Sequence, residues 1–346
     1  MVRYGQTKPA TSLYDINKGY SMMRFNKILC VVDPEDSADT AIIQAAEIAA
    51  DHQSDITFVS VLKQSRVWRS PLVSKEDKRK GFDNLMETRQ EAIEKRVKEL
   101  APGLKPKIEV DTGIAFIQII KSVLNNNYDL VVKCAEDSDW IDQLFGSEDM
   151  HLIRKCPCPV LMLKPGQNKP FKKILATVDV NEDVNETDNA RVQQALNRQV
   201  LACSTAFCMP DLTEMHVASA WEAYAEDFYR HGAFSQMPKD EVDRYVNQVQ
   251  EECNKKLNQL MKEMSGMLGK DAVNYLSPKL HLIKGKPSKV IPETEKRYGI
   301  DLIVMGTVGR VGIPGFIIGN TAETILKQVT CSVLAIKPEG FVSPVE

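Results

Sequence analysis

The sequence predicts an α/β protein made of two copies of one domain, each a five-stranded parallel sheet covered on both faces by helices. Three observations predict it. The chain has 346 residues, about right for two average domains. It repeats itself: Phe25-Asn26-Lys27-Ile28-Leu29-Cys30-Val31-Val32-Asp33 recurs as Phe171-Lys172-Lys173-Ile174-Leu175-Ala176-Thr177-Val178-Asp179. Asp129-Leu130-Val131-Val132 recurs as Asp301-Leu302-Ile303-Val304, and the run from Cys158 to Pro165 recurs from Cys331 to Pro338. Such self-similarity outranks local propensity in deciding architecture. Finally, short apolar runs alternate with amphipathic stretches, the pattern of buried parallel strands joined by crossover helices.

Ile28–Val32 is the first strand, a short apolar run ending at Asp33. Ser37 is positioned to cap a helix whose apolar face is Ala41, Ile42, Ala45, Ile48 and Ala49. Ile56–Leu62 is the second strand. A charged helix, Lys75–Leu100, turns Phe82, Leu85, Met86, Ile93, Val97 and Leu100 inward. Strands Lys107–Val110, Leu130–Lys133 and Val160–Leu163 follow, with helices around Ile117–Leu124 and Asp149–Arg154 between them.

The second copy has strands Ile174–Val178, Thr213–Ser219, Lys279–Ile283, Leu302–Met305 and Val333–Ile336. Its long helix, Asp240–Met264, carries Val242, Val246, Val249, Cys253, Leu257, Leu260 and Met264 on one stripe. The second copy is 26 residues longer between corresponding aspartates, mostly between its first and third strands. The domains are therefore expected at 24–166 and 167–346, joined at the polar turn Gly166–Pro170, after a polar extension at 1–23.

The composition is 43% hydrophobic and 26% charged, which excludes a disordered chain and a small disulfide scaffold. A net charge of −3 counts against a duplex DNA binder, so no DNA partner is expected. No apolar run approaches the ~18 residues of a membrane span. Residues 1–21 have no apolar core of a secretory signal, so a cytoplasmic protein with eight reduced cysteines is expected.

The chemistry concentrates in Gly306-Thr-Val-Gly309-Arg310-Val-Gly312-Ile-Pro314-Gly315-Phe-Ile-Ile-Gly319-Asn320-Thr321. This glycine loop leaves a parallel strand and enters a helix, which makes a phosphate cradle: backbone N–H groups approach freely and the helix dipole favours negative charge. Arg310 is placed to neutralise a phosphate, and Asn320 and Thr321 to add hydrogen bonds. The run is neither a Walker A loop nor Gly-x-Gly-x-x-Gly. A glycine-rich turn that only packs on the sheet is the competing reading.

The pattern Gly-x2-Gly-x9-Gly-(Ser/Thr) after the fourth strand resembles that of ATP-binding universal stress proteins. Gly306, Gly309 and Gly319 match it, with Asn320 in the Ser/Thr position. The resemblance spans nearly the whole chain, twice, and the order of the halves looks like the tandem E type. It implies a doubly wound sheet of the adenine nucleotide alpha hydrolase-like kind, strand order 3-2-1-4-5. It also implies contacts from Asp179 and the adjacent Val180 to the nucleoside, and pairing through the last strand. Val160–Leu163 and Val333–Ile336 would then meet as an internal pseudo-dimer, and a homodimer is the other outcome.

The first copy departs from the pattern. Aligned on Asp129 and Asp301, Cys134 replaces Gly306, Asp137 replaces Gly309, and Gly146-Ser147 matches Gly319-Asn320. A carboxylate ~5 Å from a phosphate costs roughly 3 kcal/mol, about a hundredfold in affinity. Only the second copy is therefore expected to hold a nucleotide.

Other features are weaker. Cys156-Pro157-Cys158 lacks the second pair that a structural zinc site needs, so no metal is expected there; a redox role for Cys156 or Cys134 stays open. The five histidines form no motif, and no water-activating base stands out. Trp221, Tyr224, Phe228, Tyr229 and Phe234 read as a helix or flap docked on the sheet edge, or as an apolar wall for a lipid-like or nucleotide-lipid ligand. The expectation is a stress-response protein that binds a small phosphorylated ligand such as ATP or another adenine nucleotide, requires no cofactor and performs no fast catalysis. A ligand-free interaction module and a slow ATPase are the alternatives.

Overall fold

The computed structural model describes residues 23–33, 38–63, 74–135, 148–181, 188–210, 213–232, 237–307 and 318–345. The first half holds β1 (Lys27–Val31), α1 (Ala38–His52), β2 (Asp55–Leu62), α2 (Lys75–Leu100), β3 (Lys107–Thr112), α3 (Ala115–Asn126), β4 (Leu130–Cys134), α4 (Glu148–Lys155) and β5 (Val160–Leu163). The second holds β6 (Lys173–Thr177), α5 (Asp188–Cys208), β7 (Glu214–Trp221), α6 (Glu226–His231), α7 (Lys239–Leu268), α8 (Lys270–Leu276), β8 (Lys279–Lys284), α9 (Pro287–Tyr298), β9 (Leu302–Gly306), α10 (Asn320–Leu326) and β10 (Ser332–Ile336).

The ten strands form one sheet in the order β3-β2-β1-β4-β5-β10-β9-β6-β7-β8. Each half thus runs 3-2-1-4-5, with parallel neighbours throughout. The halves join at one antiparallel pair, Val333 opposite Met162 and Ala335 opposite Val160. Both terminal strands satisfy their outer backbone groups on each other, which removes two exposed sheet edges.

Because the strands are buried on both faces, two cores form. One lies under α1, α2, α5 and α7 and includes Leu161, Leu163, Leu334 and Ile336. The other lies under α3, α4, α9 and α10 and takes Val160, Met162, Val333 and Ala335. Each core runs across the seam. Phe25 meets Phe207 with ring centroids 5.7 Å apart, and Arg154 on α4 pairs with Glu323 on α10 at 3.1 Å.

One device recurs in both halves. The Asp129 carboxylate accepts the backbone N–H groups of Asn26 and Lys27 at 2.7 and 3.0 Å. The Asp301 carboxylate accepts those of Lys172 and Lys173 at 2.8 and 3.0 Å. The aspartate before the fourth strand therefore clamps the start of the first, which explains why both copies keep it. Burial raises both carboxyls, and the N–H bonds oppose that rise.

The extra length of the second half goes into α5 (21 residues against 15 for α1), α7 (30 against 26 for α2), and the short helices α6 and α8. Two expectations are corrected. Leu85 is 39% exposed, because α2 presents only Ile93 and Val97 fully to the sheet. Trp221 is the last residue of β7, not a helical position, because β7 extends two residues past Ser219 along β8. Ser37 lies outside the described residues, as do Asp137, Gly146, Ser147 and Phe234.

Candidate functional site

The candidate site lies at the C-terminal ends of β6, β7, β8 and β9. β6 is flanked by β7 on one side and β9 on the other, so the chain winds away in opposite directions from its end. Such a switch point opens a crevice beyond the strand ends. Thr177 is in register with Met305, which brings Asp179 and Gly306 to the same end of adjacent strands.

Asn197 on α5 fixes Asp179 through the backbone: the Asp179 N–H donates to Asn197 Oδ1 at 3.0 Å, and Asn197 Nδ2 donates to the Asp179 carbonyl at 2.7 Å. The Asp179 carboxylate accepts the Asn181 N–H at 3.0 Å and makes no ion pair among the described residues. It is solvent-exposed, yet the protein atoms around it partly desolvate it. That setting raises its carboxyl, against the pull of the Asn181 N–H and Lys256. With Asn181, Ala220, Trp221, Glu222, Gly285 and Pro287 it lines a cavity of about 110 Å³. Val180 points into the core, and its N–H reaches Ser219 Oγ at 3.4 Å.

The two ends of the glycine loop are tied together. The Thr307 N–H donates to the Ile336 carbonyl at 3.0 Å, and the Gly319 N–H donates to the Thr307 carbonyl at 2.9 Å. The Gly319 amide is thus engaged within the loop itself. Gly306 is needed for packing: a Cβ there would lie 2.5 Å from Leu196 Cδ2. Asn320 and Thr321 are exposed in the first turn of α10, while Gly309 and Arg310 lie outside the described residues. Lys337, buried at 5% exposure, bonds Thr307 Oγ1 from below.

In the first half the counterpart of Asp179 is held in an ion pair. Arg89 on α2, its side chain only 12% exposed, meets Asp33 at 2.7 Å. Arg89, Asn197 and Lys337 were not legible as site residues, because nothing local marks a side chain that arrives from a distant helix or strand. For Lys337 a signal existed: it closes the repeated Cys158–Pro165 and Cys331–Pro338 runs.

The aromatic segment is divided. Trp221 is buried, with the Lys284 amine 5.6 Å from its ring centre, whereas Tyr224 and Phe228 are 86% and 56% exposed. Among the histidines, the buried His216 bonds Glu214 at 2.6 Å and His281 at 2.9 Å, a pair brought together by β7 and β8. No cluster of three or more metal-ligating side chains occurs among the described residues, and no helix there is long and apolar enough to cross a membrane.

Universal stress protein E of Escherichia coli K12 is 25% identical over 328 residues, covering 94% of this chain and 98% of the relative. The Universal stress protein E homolog of Haemophilus influenzae is 26% identical over 327 residues, covering 91% and 98%. The solved structure of a universal stress protein from Archaeoglobus fulgidus matches with a TM-score of 0.58 at 14% identity, over 92% of this chain and 98% of that one. A functionally unknown protein from Pseudomonas aeruginosa PAO1 matches with a TM-score of 0.61 at 22% identity, over 91% and 93%, so both share the fold. The profile of the universal stress protein family matches residues 24–164 and again 170–337, and the chain belongs to that family, as a tandem member.

Proposed function

We infer that the second half binds a nucleotide or a related phosphorylated ligand at the ends of β6 and β9, and that the protein acts by binding rather than by fast chemistry. One observation carries this reading: Asp179 faces a cleft with a carboxylate unpaired among the described residues, while its counterpart Asp33 is neutralised by Arg89. A carboxylate at this point of a doubly wound sheet is suited to accept ribose hydroxyls. The loop of Gly306, Gly309, Arg310, Gly319, Asn320 and Thr321 leaves the next strand, where phosphates would follow.

Calorimetry with ATP, ADP and AMP tests it. Wild-type protein is expected to bind one equivalent, and Asp179→Ala and Gly309→Asp to lose binding. Equal behaviour of wild type and both variants overturns the site.

A second reading is that the ligand carries an apolar, lipid-like part, favoured by the exposure of Tyr224 and Phe228. Loss of a fluorescent acyl probe in the Tyr224→Ala, Phe228→Ala double variant supports it; unchanged binding removes it. The internal β5–β10 pairing supports a pseudo-dimer within one chain, and light scattering at high concentration is expected to find a monomer.

A further inference from the structure

The seam between the halves holds two buried thiols and a buried amine that the nucleotide reading does not use. Cys156 and Cys158 have their sulfurs 3.6 Å apart, with the side chains turned toward each other across Pro157. The antiparallel pair of β5 and β10 ends at Val160 and Ala335, so Cys158 and Lys337 both lie just beyond the same end of the seam. The Lys337 amine is buried, bonds Thr307 Oγ1, lies 5.5 Å from the centre of the Phe341 ring and has no carboxylate partner among the described residues. The repeat does not build this group twice: Val329 stands where Cys156 would, and Lys164, the mate of Lys337, is exposed.

From this geometry we propose that Cys156 and Cys158 are an oxidisable dithiol that closes an internal disulfide when a hydroperoxide reaches the seam, with Lys337 from the other half as the proton acceptor. Cys156 passes its proton to the Lys337 amine, and its sulfur attacks one peroxide oxygen. The O–O bond breaks, a sulfenic acid forms, and the leaving oxygen departs as water with the proton returned from Lys337. The Cys158 sulfur then displaces the sulfenic hydroxyl, which leaves as water with the Cys158 proton. In sum, two thiols and one hydrogen peroxide give one disulfide and two waters.

The contact with Cys156 and then burial push the Cys158 thiol well up, and the Asp129 carboxylate adds to that rise, so the pair needs a proton acceptor beside it. Burial brings the Lys337 amine down to about 7, with Arg154 lowering it further and Cys156 opposing. A neutral amine at that depth can accept a proton at ordinary pH.

The test uses the full chain. After treatment with equimolar hydrogen peroxide and alkylation, the tryptic peptide beginning at Cys156 is expected to have lost two hydrogens, reversibly with dithiothreitol. Cys158→Ala is expected to hold Cys156 as a sulfenic acid that dimedone captures. Lys337→Met, shown folded by circular dichroism, is expected to slow closure about tenfold at neutral pH and to flatten its pH profile near the amine's titration. Lys337→Arg is expected not to restore it, because a guanidinium cannot accept a proton. A peptide alkylated at both cysteines overturns the proposal. So does a Lys337→Met protein that oxidises at the wild-type rate and pH profile.

Discussion

Arg89 meets Asp33 at 2.7 Å, so the aspartate that ends the first half's β1 segment faces a guanidinium, whereas Asp179 in the repeat faces a cleft. The two halves share a backbone and differ in what reaches the end of one strand. Asp33 is half-exposed, so the pair contributes modestly to stability. Arg89→Met, which keeps the aliphatic stem, is expected to cost at most about 1 kcal/mol in urea unfolding.

Asp179 behaves oppositely. Its carboxyl is raised by desolvation from the surrounding protein atoms, so the fold favours the protonated form. The stability this group contributes is present below the ordinary carboxylate pKa and is lost as pH rises through its raised value. Asp179→Asn is therefore expected to raise the thermal midpoint at pH 7, with the gain shrinking as pH falls through the carboxylate range. The same variant is expected to lose ligand affinity, and calorimetry beside thermal unfolding separates the two effects.

The glycines of the loop divide by what surrounds them. Gly306→Ala forces a methyl group against the buried Leu196 and is expected to cost about 1–3 kcal/mol. Gly319 has an ordinary φ of −61°, and a Cβ there would lie 3.9 Å from the Thr307 carbonyl oxygen. Gly319→Ala is expected to stay within about 0.5 kcal/mol of wild type. Urea denaturation of the two variants checks the contrast.

The paired clamps give a symmetric prediction. Asp129→Ala and Asp301→Ala each release two backbone N–H groups that a carboxylate holds. Each is expected to cost about 2–4 kcal/mol, and the double variant close to the sum, because the sites share no partner. Chemical denaturation of the three variants measures this.

The sequence by itself determined the repeat, the alternation of strand and helix, the buried faces of α1 and α7, and the place of the glycine loop after β9. Those features are periodic or contiguous, so each is written within a few residues of itself. Trp221 and Leu85 were misread because a strand's length and a helix's buried face depend on the neighbours they pack against. The clamp at Asp301 left a trace as a repeated residue, but its role appeared only when β9 lay beside β6. Only the tertiary structure decided that Arg89 pairs with Asp33, that Asn197 fixes Asp179, and that Lys337 comes to the same end of the seam as Cys156 and Cys158. Each of these contacts joins residues far apart in sequence, and the charge or hydrogen bond that makes it matter exists only once the sheet has brought them together.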